Sequence, residues 1–340
     1  MIRELLKHMQ NRQVVVENLP TGKLHCNNFK IKMGLIPKLS SGQVLVRTTA
    51  FAITAGARAG LQGSASYAGA AESDVVMRGT GIGEVVESTN TQFPVGSMVL
   101  GPTGWQEYAA LNSRSLTFIP ERYDPLKFIG PLGINGLAAY FGLFRTGRPV
   151  IGETVMVSAA AGSVGHFAGQ MAKIIGCKVV GVTGDDKKAE RLRNELGFDA
   201  SVNYKSENFR NDLKLATPDG IDVYFDNTGG DILGSALFRL NVGGRIACCG
   251  VVSQYDTSSP DSGPRGIPGL LVNKRITMQG FLVFDYADEY QTARDEINKW
   301  IDSGQLIGWT DEVFGLDSAP EAFVNLLAGG NVGSRVVRLD

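Results

Sequence analysis

The sequence predicts an α/β protein in which a doubly wound parallel sheet is inserted into a β-rich domain. Three observations lead there. The first 130 or so residues carry short β-like runs punctuated by Gly, Pro and Asn. The middle of the chain alternates continuously apolar strands with helices. The last stretch returns to a helix and a closing strand. Alternating strands and helices build parallel sheets, whereas short evenly spaced strands build barrels or sandwiches. A length of 340 residues exceeds one comfortable core and suits two domains. The expected division is residues 1–130 plus 304–340 for the β-rich domain and 131–303 for the inserted sheet.

The β-like runs are Gln43–Thr49, Gly81–Glu87 and Val95–Leu100. In the middle segment the expected strands are Glu153–Ala159, Lys178–Thr183, Ala200–Asn203, Ile221–Asp226 and Arg245–Val252. These runs are apolar throughout, as strands buried on both faces must be. Helices are expected over Ser163–Ile175 and Lys187–Leu196, the second stopped by Gly197. Ser206 is the expected cap of a helix running to Ala216. Near the end, Asp317 or Ser318 followed by Pro320 opens a helix to about Ala328, and Val336–Leu339 closes the fold.

Composition narrows the function. The net charge of -1 provides no field for nucleic acid or an acidic membrane. No apolar run approaches the roughly 18 residues of a membrane span, and the N-terminus lacks the apolar core of a secretory signal. The expected location is the cytoplasm. The four cysteines, two of them adjacent, do not form a disulfide framework.

The strongest chemical signal follows the first strand of the middle segment. It runs into Ala160, Ala161, Gly162, Ser163, Val164 and Gly165, and a helix follows. This is a dinucleotide phosphate loop with Ala at the first glycine position. One glycine lets backbone approach a pyrophosphate, the other lets helix and sheet pack closely, and the helix N-terminus offers N–H groups to the anion. NAD-binding chains usually place an acid at the end of the second strand, for the ribose 2′-OH. Here that slot holds Thr183, then Gly184, and neither repels a 2′-phosphate. Lys187, Lys188 and Arg191 follow and favour NADPH, while Asp185 and Asp186 are the case for NAD.

A zinc centre is not expected. The catalytic domain offers only His25 and Cys26 as soft ligands, His8 lies in the N-terminal segment, and no CxxC occurs. His166, in the first helix after the loop, reads as structural or as a minor part of the phosphate environment.

The chain resembles the zinc-free medium-chain dehydrogenases/reductases of the leukotriene/prostaglandin reductase and curcumin/alkenal double-bond reductase family. The resemblance spans nearly the whole chain. It is carried by Gly104–Tyr108, Val157–Gly165, Gly176–Gly181, Leu196–Asp199, Asn203–Lys205 and Gly220–Gly230. Gly244–Ala247, Cys249–Gly250, Gln279–Phe281 and Gly330–Gly333 continue it. It implies a Rossmann sheet inserted into a GroES-like domain, and NADPH as cofactor. It further implies that Lys188 and Tyr204 hold the 2′-phosphate, that Asn331 and Gly333 approach the cofactor, and that Phe281 and Val283 lie beside the nicotinamide. Asn227, Gly250 and Ser253 complete the implied cofactor set. The implied reaction is hydride transfer to the β-carbon of an enal or enone, with Tyr255 of Ser253-Gln254-Tyr255 supporting the enolate oxygen. A homodimer through the segment Arg275–Val283 is implied as well.

Two segments depart from the family pattern. Where members usually read Asp-Pro-Tyr-Met-Arg, this chain reads Thr54-Ala55-Gly56-Ala57-Arg58; Arg58 is kept and the large residues are gone. Where they usually read Met-Pro-Gly-x-Thr-Ala-Tyr, it reads Ile134-Asn135-Gly136-Leu137-Ala138-Ala139-Tyr140. Gly56, Arg58, Ile134, Asn135 and Tyr255 are therefore the expected substrate-pocket positions, with room for bulky substrates. The departures keep three other readings open: a zinc-free ketone reductase/alcohol dehydrogenase, a quinone reductase, and a non-catalytic NADPH-binding protein. The sequence also leaves open whether Ser258–Pro268 closes over a substrate.

Overall fold

Contacts divide the chain into two units, Met1–Gly130 with Thr310–Asp340, and Pro131–Trp309. The structure is a computed structural model and describes residues 10–63, 70–259 and 263–339. His8 and part of the 258–268 segment lie outside the described residues.

The first unit opens with strands β1 (Gln10–Val16), β2 (Phe29–Leu35) and β3 (Gln43–Ile53), then helix α1 (Gly56–Gln62). Strands β4 (Val75–Val76), β5 (Gly81–Ser88), β6 (Met98–Gly101), β7 (Tyr108–Asn112) and β8 (Thr117–Ile119) follow. The expected strand at Val95–Leu100 begins only at Met98, because Gly96 turns with positive φ and its N–H bonds back to Val85.

The inserted unit contributes α2 (Ile134–Phe141), β9 (Thr154–Ser158), α3 (Gly165–Ile174), β10 (Lys178–Thr183), α4 (Asp186–Leu196) and β11 (Ala200–Asn203). It continues with α5 (Phe209–Ala216), β12 (Ile221–Asp226), α6 (Gly230–Arg239) and β13 (Leu240–Cys248). It ends with α7 (Ile267–Lys274), β14 (Thr277–Gly280) and α8 (Tyr290–Asp302). The chain then completes the first unit with β15 (Thr310–Phe314), α9 (Ala319–Leu327) and β16 (Ser334–Arg338).

In the first unit a small sheet has the order β2-β1-β4, and a larger one the order β15-β16-β3-β5-β6-β8, with β7 also on β3. Strand β16 runs antiparallel to β3, so the two chain ends share one sheet. An aromatic core seals them together. Trp105 stacks on Phe51 at 5.6 Å and meets Phe323 of α9 edge-on at 5.6 Å. Offset and edge-on ring pairs add to what burial alone contributes.

In the inserted unit six parallel strands stand in the order β11-β10-β9-β12-β13-β14. The order reverses between β9 and β12. In open α/β sheets such a switch point, at the carboxyl ends of the strands, is where ligands bind. All five residues of β9 are buried. Gly169 of α3 makes room for the Phe198 ring that follows α4, because a Cβ there would lie 2.0 Å from it. Strand β14 is the outer edge, and all four of its residues are exposed.

Three local expectations need correction. Ser206 does not cap α5; the cap position is Asn208. The Ser206 hydroxyl instead accepts from the Asn208 N–H at 3.2 Å and donates to Asp212 at 3.1 Å. Strand β13 starts five residues before Arg245 and stops at Cys248 rather than Val252. It stops because the N–H groups of Cys249 and Gly250 both turn to the Asp226 carbonyl. The closing strand is Ser334–Arg338, with the Leu339 N–H bonded to Thr49. Among the described residues, no helix is long and apolar enough to cross a membrane.

Candidate functional site

The loop after β9 leaves the strand through Ala159, whose φ is 46°. A non-glycine residue in the left-handed region marks a backbone constrained by its surroundings. The Gly162 N–H returns to the Ala159 carbonyl at 2.8 Å, closing a tight turn. At Gly165 a Cβ would lie 2.4 Å from the Ala159 oxygen and 2.8 Å from the Ala160 Cα, so only glycine fits. Helix α3 starts there with Val164 as its N-cap and no side-chain cap. Ala161, Gly162, Ser163, Val164 and Gly165 thus form one backbone cradle before a helix N-terminus, an arrangement suited to a phosphate.

His166 sits directly behind this cradle, fully buried. The Trp309 N–H donates to its Nε2 at 3.2 Å. Nε2 is therefore the unprotonated nitrogen, and Nδ1 carries the hydrogen that reaches the Gly162 carbonyl at 2.7 Å. Burial pushes the His166 pKa down to about 4, against a smaller opposing effect of the Gly162 bond, so the ring is neutral. Trp309 stacks on it at 5.9 Å, and the Arg191 guanidinium lies 4.5 Å over the Trp309 ring.

The carboxyl end of β10 resolves the tension among the charges. Asp185 is the N-cap of α4, its side chain accepting from the Lys188 N–H at 2.9 Å. Asp186 accepts from Asn203 at 2.9 Å. Both acids serve local structure, which weakens the case for a ribose-binding carboxylate. Arg191 is engaged by Glu195 at 2.6 and 2.9 Å as well as by Trp309. Thr183 is buried, and Gly184 lies under Tyr204, where a Cβ would be 2.8 Å from the ring. Lys205 crosses the same glycine, its ammonium 5.9 Å from the Tyr204 ring centre. Tyr204 is 43% exposed, and Lys188 is half-buried.

At the ends of β12 and β13 a buried hub organises the next segment. One oxygen of Asp226 accepts from the Tyr224 hydroxyl at 2.7 Å, the Thr228 N–H at 2.9 Å and the Gly229 N–H at 2.8 Å. The Ser158 hydroxyl, at the end of β9, reaches the same oxygen at 3.3 Å and accepts from the Asn227 N–H at 2.9 Å. The Asn227 side chain donates to the Ser158 carbonyl at 2.7 Å, so both strand ends are tied. The Ser253 hydroxyl donates to the Thr228 carbonyl at 2.6 Å. Tyr255 follows a short 3-10 turn, Val252–Gln254, and its hydroxyl accepts from the Val251 N–H at 3.3 Å. That folds the phenol over Gly250, where a Cβ would lie 3.5 Å from the hydroxyl oxygen. Burial pushes the neighbouring thiols up, Cys248 to about 11 and Cys249 to about 12.

Phe281 turns inward. Its ring fills the space left by Gly142, where a Cβ would be 2.3 Å away, and meets Phe225 edge-on at 6.3 Å. Val283 is buried and its carbonyl accepts from Tyr290 at 3.1 Å. Ile134 and Asn135 form the first turn of α2, Ile134 half-buried and Asn135 buried. In the other unit, half-buried Gly56 opens α1, and buried Arg58 donates to the Gly22 carbonyl at 2.5 Å. Buried Asn331 donates to the Gly333 carbonyl at 2.8 Å, and Gly333 has a φ of 73°. Among the described residues, no three His, Cys, Asp or Glu side chains converge as a metal site.

The inserted unit therefore brings the loop, the 204 corner and the 226–255 segment to one end of its sheet. Sequence reasoning passed over Asp226 and Gly142, whose roles depend on partners distant in sequence; the only available signal was a lone acid ending an apolar strand.

Residues 163–299 match a family model described as zinc-binding dehydrogenase, and residues 12–119 one described as N-terminal domain of oxidoreductase. The chain is 37% identical to the 2-alkenal reductase (NADP(+)-dependent) of Nicotiana tabacum, over 98% of each chain. It is 34% identical to the NADPH-dependent curcumin reductase of Escherichia coli (strain K12), over 97% of each. The crystal structure of CurA in complex with NADPH from Vibrio vulnificus superposes with a TM-score of 0.93 at 35% identity, over 97% of this chain and 99% of that one. The chain belongs to the medium-chain dehydrogenase/reductase family, in the group that holds the prostaglandin, curcumin and alkenal reductases.

Proposed function

We propose that this protein uses NADPH, without zinc, to reduce the C=C bond of α,β-unsaturated ketones and aldehydes. The observation that carries the reading is a complete phosphate-loop-to-Tyr255 arrangement in a chain matched end to end by alkenal and curcumin reductases. The residues fit the cofactor. Gly165 leaves a cradle that any Cβ would fill, and Asp185 and Asp186, past the end of β10, accept from the Lys188 N–H and from Asn203.

Ala161 to Gly165 would hold the pyrophosphate, with Thr183 and Gly184 beside the adenosine ribose. Lys188 and Tyr204 would hold the 2′-phosphate. Asn227, Gly250, Ser253, Phe281 and Val283 would line the nicotinamide half. When bound, NADPH supplies the hydride that the β-carbon accepts. Tyr255 would then donate from its hydroxyl to the enolate oxygen of the substrate. A phenol suits this task because it is neutral at pH 7, with a reference pKa near about 10. The Val251 N–H steadies the phenol oxygen, so positioning does more here than acid strength.

Ile134 and Asn135, in the first turn of α2, would set the size of the acceptable substrate. The buried amide of Asn135 favours a second reading, a zinc-free carbonyl reductase, because an amide can orient a carbonyl.

The test is NADPH oxidation with a matched enone and saturated ketone, with product analysis and NADH in parallel. The expected result is a saturated ketone from the enone, no alcohol, at least tenfold preference for NADPH, and a kcat lowered about tenfold or more in Tyr255→Phe. Turnover of the saturated ketone to its alcohol would establish the second reading.

The reading includes a cytoplasmic homodimer. The open edge of β14, whose four residues are all exposed, flanked by exposed Val272 and Phe284, supports the dimer. Light scattering should give twice the 36.4 kDa chain mass; a single-chain mass at micromolar concentration would rule the dimer out.

A further inference from the structure

We propose that His166 is a positioning residue that sets the orientation of the Gly162–Ser163 peptide, and with it the affinity of the phosphate loop for the pyrophosphate of NADPH. This rests on the reading that the loop binds NADPH.

The peptide unit is planar and trans, so fixing its carbonyl fixes its N–H on the opposite side. The Gly162 carbonyl belongs to the same plane as the Ser163 N–H. The His166 Nδ1–H holds that carbonyl at 2.7 Å from the helix side. The N–H of the plane is thereby turned away from the ring. The loop glycines allow this peptide to rotate; the imidazole restrains it, beside a longer bond from the His166 backbone N–H to the same carbonyl at 3.4 Å.

The ring is itself restrained. Its Nε2 accepts from the Trp309 N–H, which settles the tautomer and therefore the direction of the Nδ1 hydrogen. Trp309 stacks along one side of it. One turn further along α3, Gln170 clamps the same passing segment. Its amide nitrogen donates to the Ile307 carbonyl at 2.9 Å and its amide oxygen accepts from the Ile307 N–H at 2.8 Å. The imidazole thus has two separable jobs, one through each nitrogen. Nδ1 holds the loop, and Nε2 holds the 307–309 segment.

Two substitutions separate the jobs. An asparagine amide nitrogen reaches about where Nδ1 sits and can still donate to Gly162. A glutamine amide reaches about where Nε2 sits and can still accept from Trp309. His166→Leu removes both. The measurement is the dissociation constant of NADPH for the full chain and each variant, beside that of 2′-AMP, which lacks a pyrophosphate. The expected result is that His166→Asn stays within about threefold of the parent for NADPH, while His166→Gln and His166→Leu weaken by about tenfold, the worth of one hydrogen bond. Binding of 2′-AMP should be alike in all of them. A His166→Gln chain that binds NADPH like the parent overturns the proposal, because the 307–309 clamp would then be the working contact. So does parallel weakening of 2′-AMP. A parent chain that binds 2′-AMP but not NADPH removes the cofactor reading and this proposal together.

Discussion

Gly165→Ala should lower NADPH affinity about 100-fold, equivalent to about 2.7 kcal/mol. The added methyl would sit 2.4 Å from the Ala159 oxygen, 2.8 Å from the Ala160 Cα and 3.0 Å from the Ala159 carbonyl carbon. All three are backbone atoms, so no side chain can swing aside. Relief requires α3 to move outward or the turn at Ala159 to open. Ala159 already stands at a φ of 46°, and its neighbour Ala160 is tied by its N–H to Val182 at 3.0 Å, so the turn has little freedom. The helix start must shift, carrying the first-turn N–H groups with it. Gly269→Ala is the control, since a Cβ there meets nothing within 4 Å. In that exposed first turn of α7 alanine should be neutral or stabilise by less than about 1 kcal/mol. Fluorescence titration with NADPH decides the matter, and a Gly165→Ala chain within threefold of the parent would show that the cradle is not the cofactor site.

Asp226→Ala should destabilise the inserted unit by about 3–5 kcal/mol, seen as a Tm lowered by about 10 °C. The carboxyl oxygen is the shared acceptor for the Tyr224 hydroxyl and the Thr228 and Gly229 N–H groups. Tyr224 is fully buried, and burial, with Asp226 beside it, raises its pKa well above the usual value. Removal of the acceptor leaves these donors without their shared partner in a largely buried site. Asp226→Asn keeps one acceptor oxygen and should lose less than half as much. Equal losses in the two variants, or a loss below 1 kcal/mol for Asp226→Ala, would mean that the hub is incidental.

Much of the inserted unit was legible in the sequence, and the reasons are local. Strand β11 falls on Ala200–Asn203 as expected, and Gly197 ends α4 with a φ of 68°. Buried parallel strands and left-handed caps depend on neighbours in sequence. Errors came where a distant group took over. Asp226 ended β13 early by capturing two N–H groups, and Ser206 gave up its cap role to Asn208 and Asp212. In the site, the acids at 185 and 186 could be weighed against the lysines from sequence. Only structure shows the first spent on an N-cap and the second on Asn203. The first unit was least legible, because β3 pairs with β5, β7 and β16, the last far away in sequence. Alternating patterns announce strands without naming their partners.

The paired thiols at the end of β13 bear on survival as well as architecture. Enones are electrophiles that alkylate sulfur, and the attacking species is the thiolate. With pKa values pushed by burial to about 11 and about 12, Cys248 and Cys249 are almost wholly protonated at neutral pH. At pH 7 only about one Cys248 in ten thousand is ionised. Cys177, held at about 11, is comparably inert, which leaves exposed Cys26 as the sulfur open to attack. A protein that reduces enones, as proposed, would thus keep its inner thiols in the form such electrophiles cannot use.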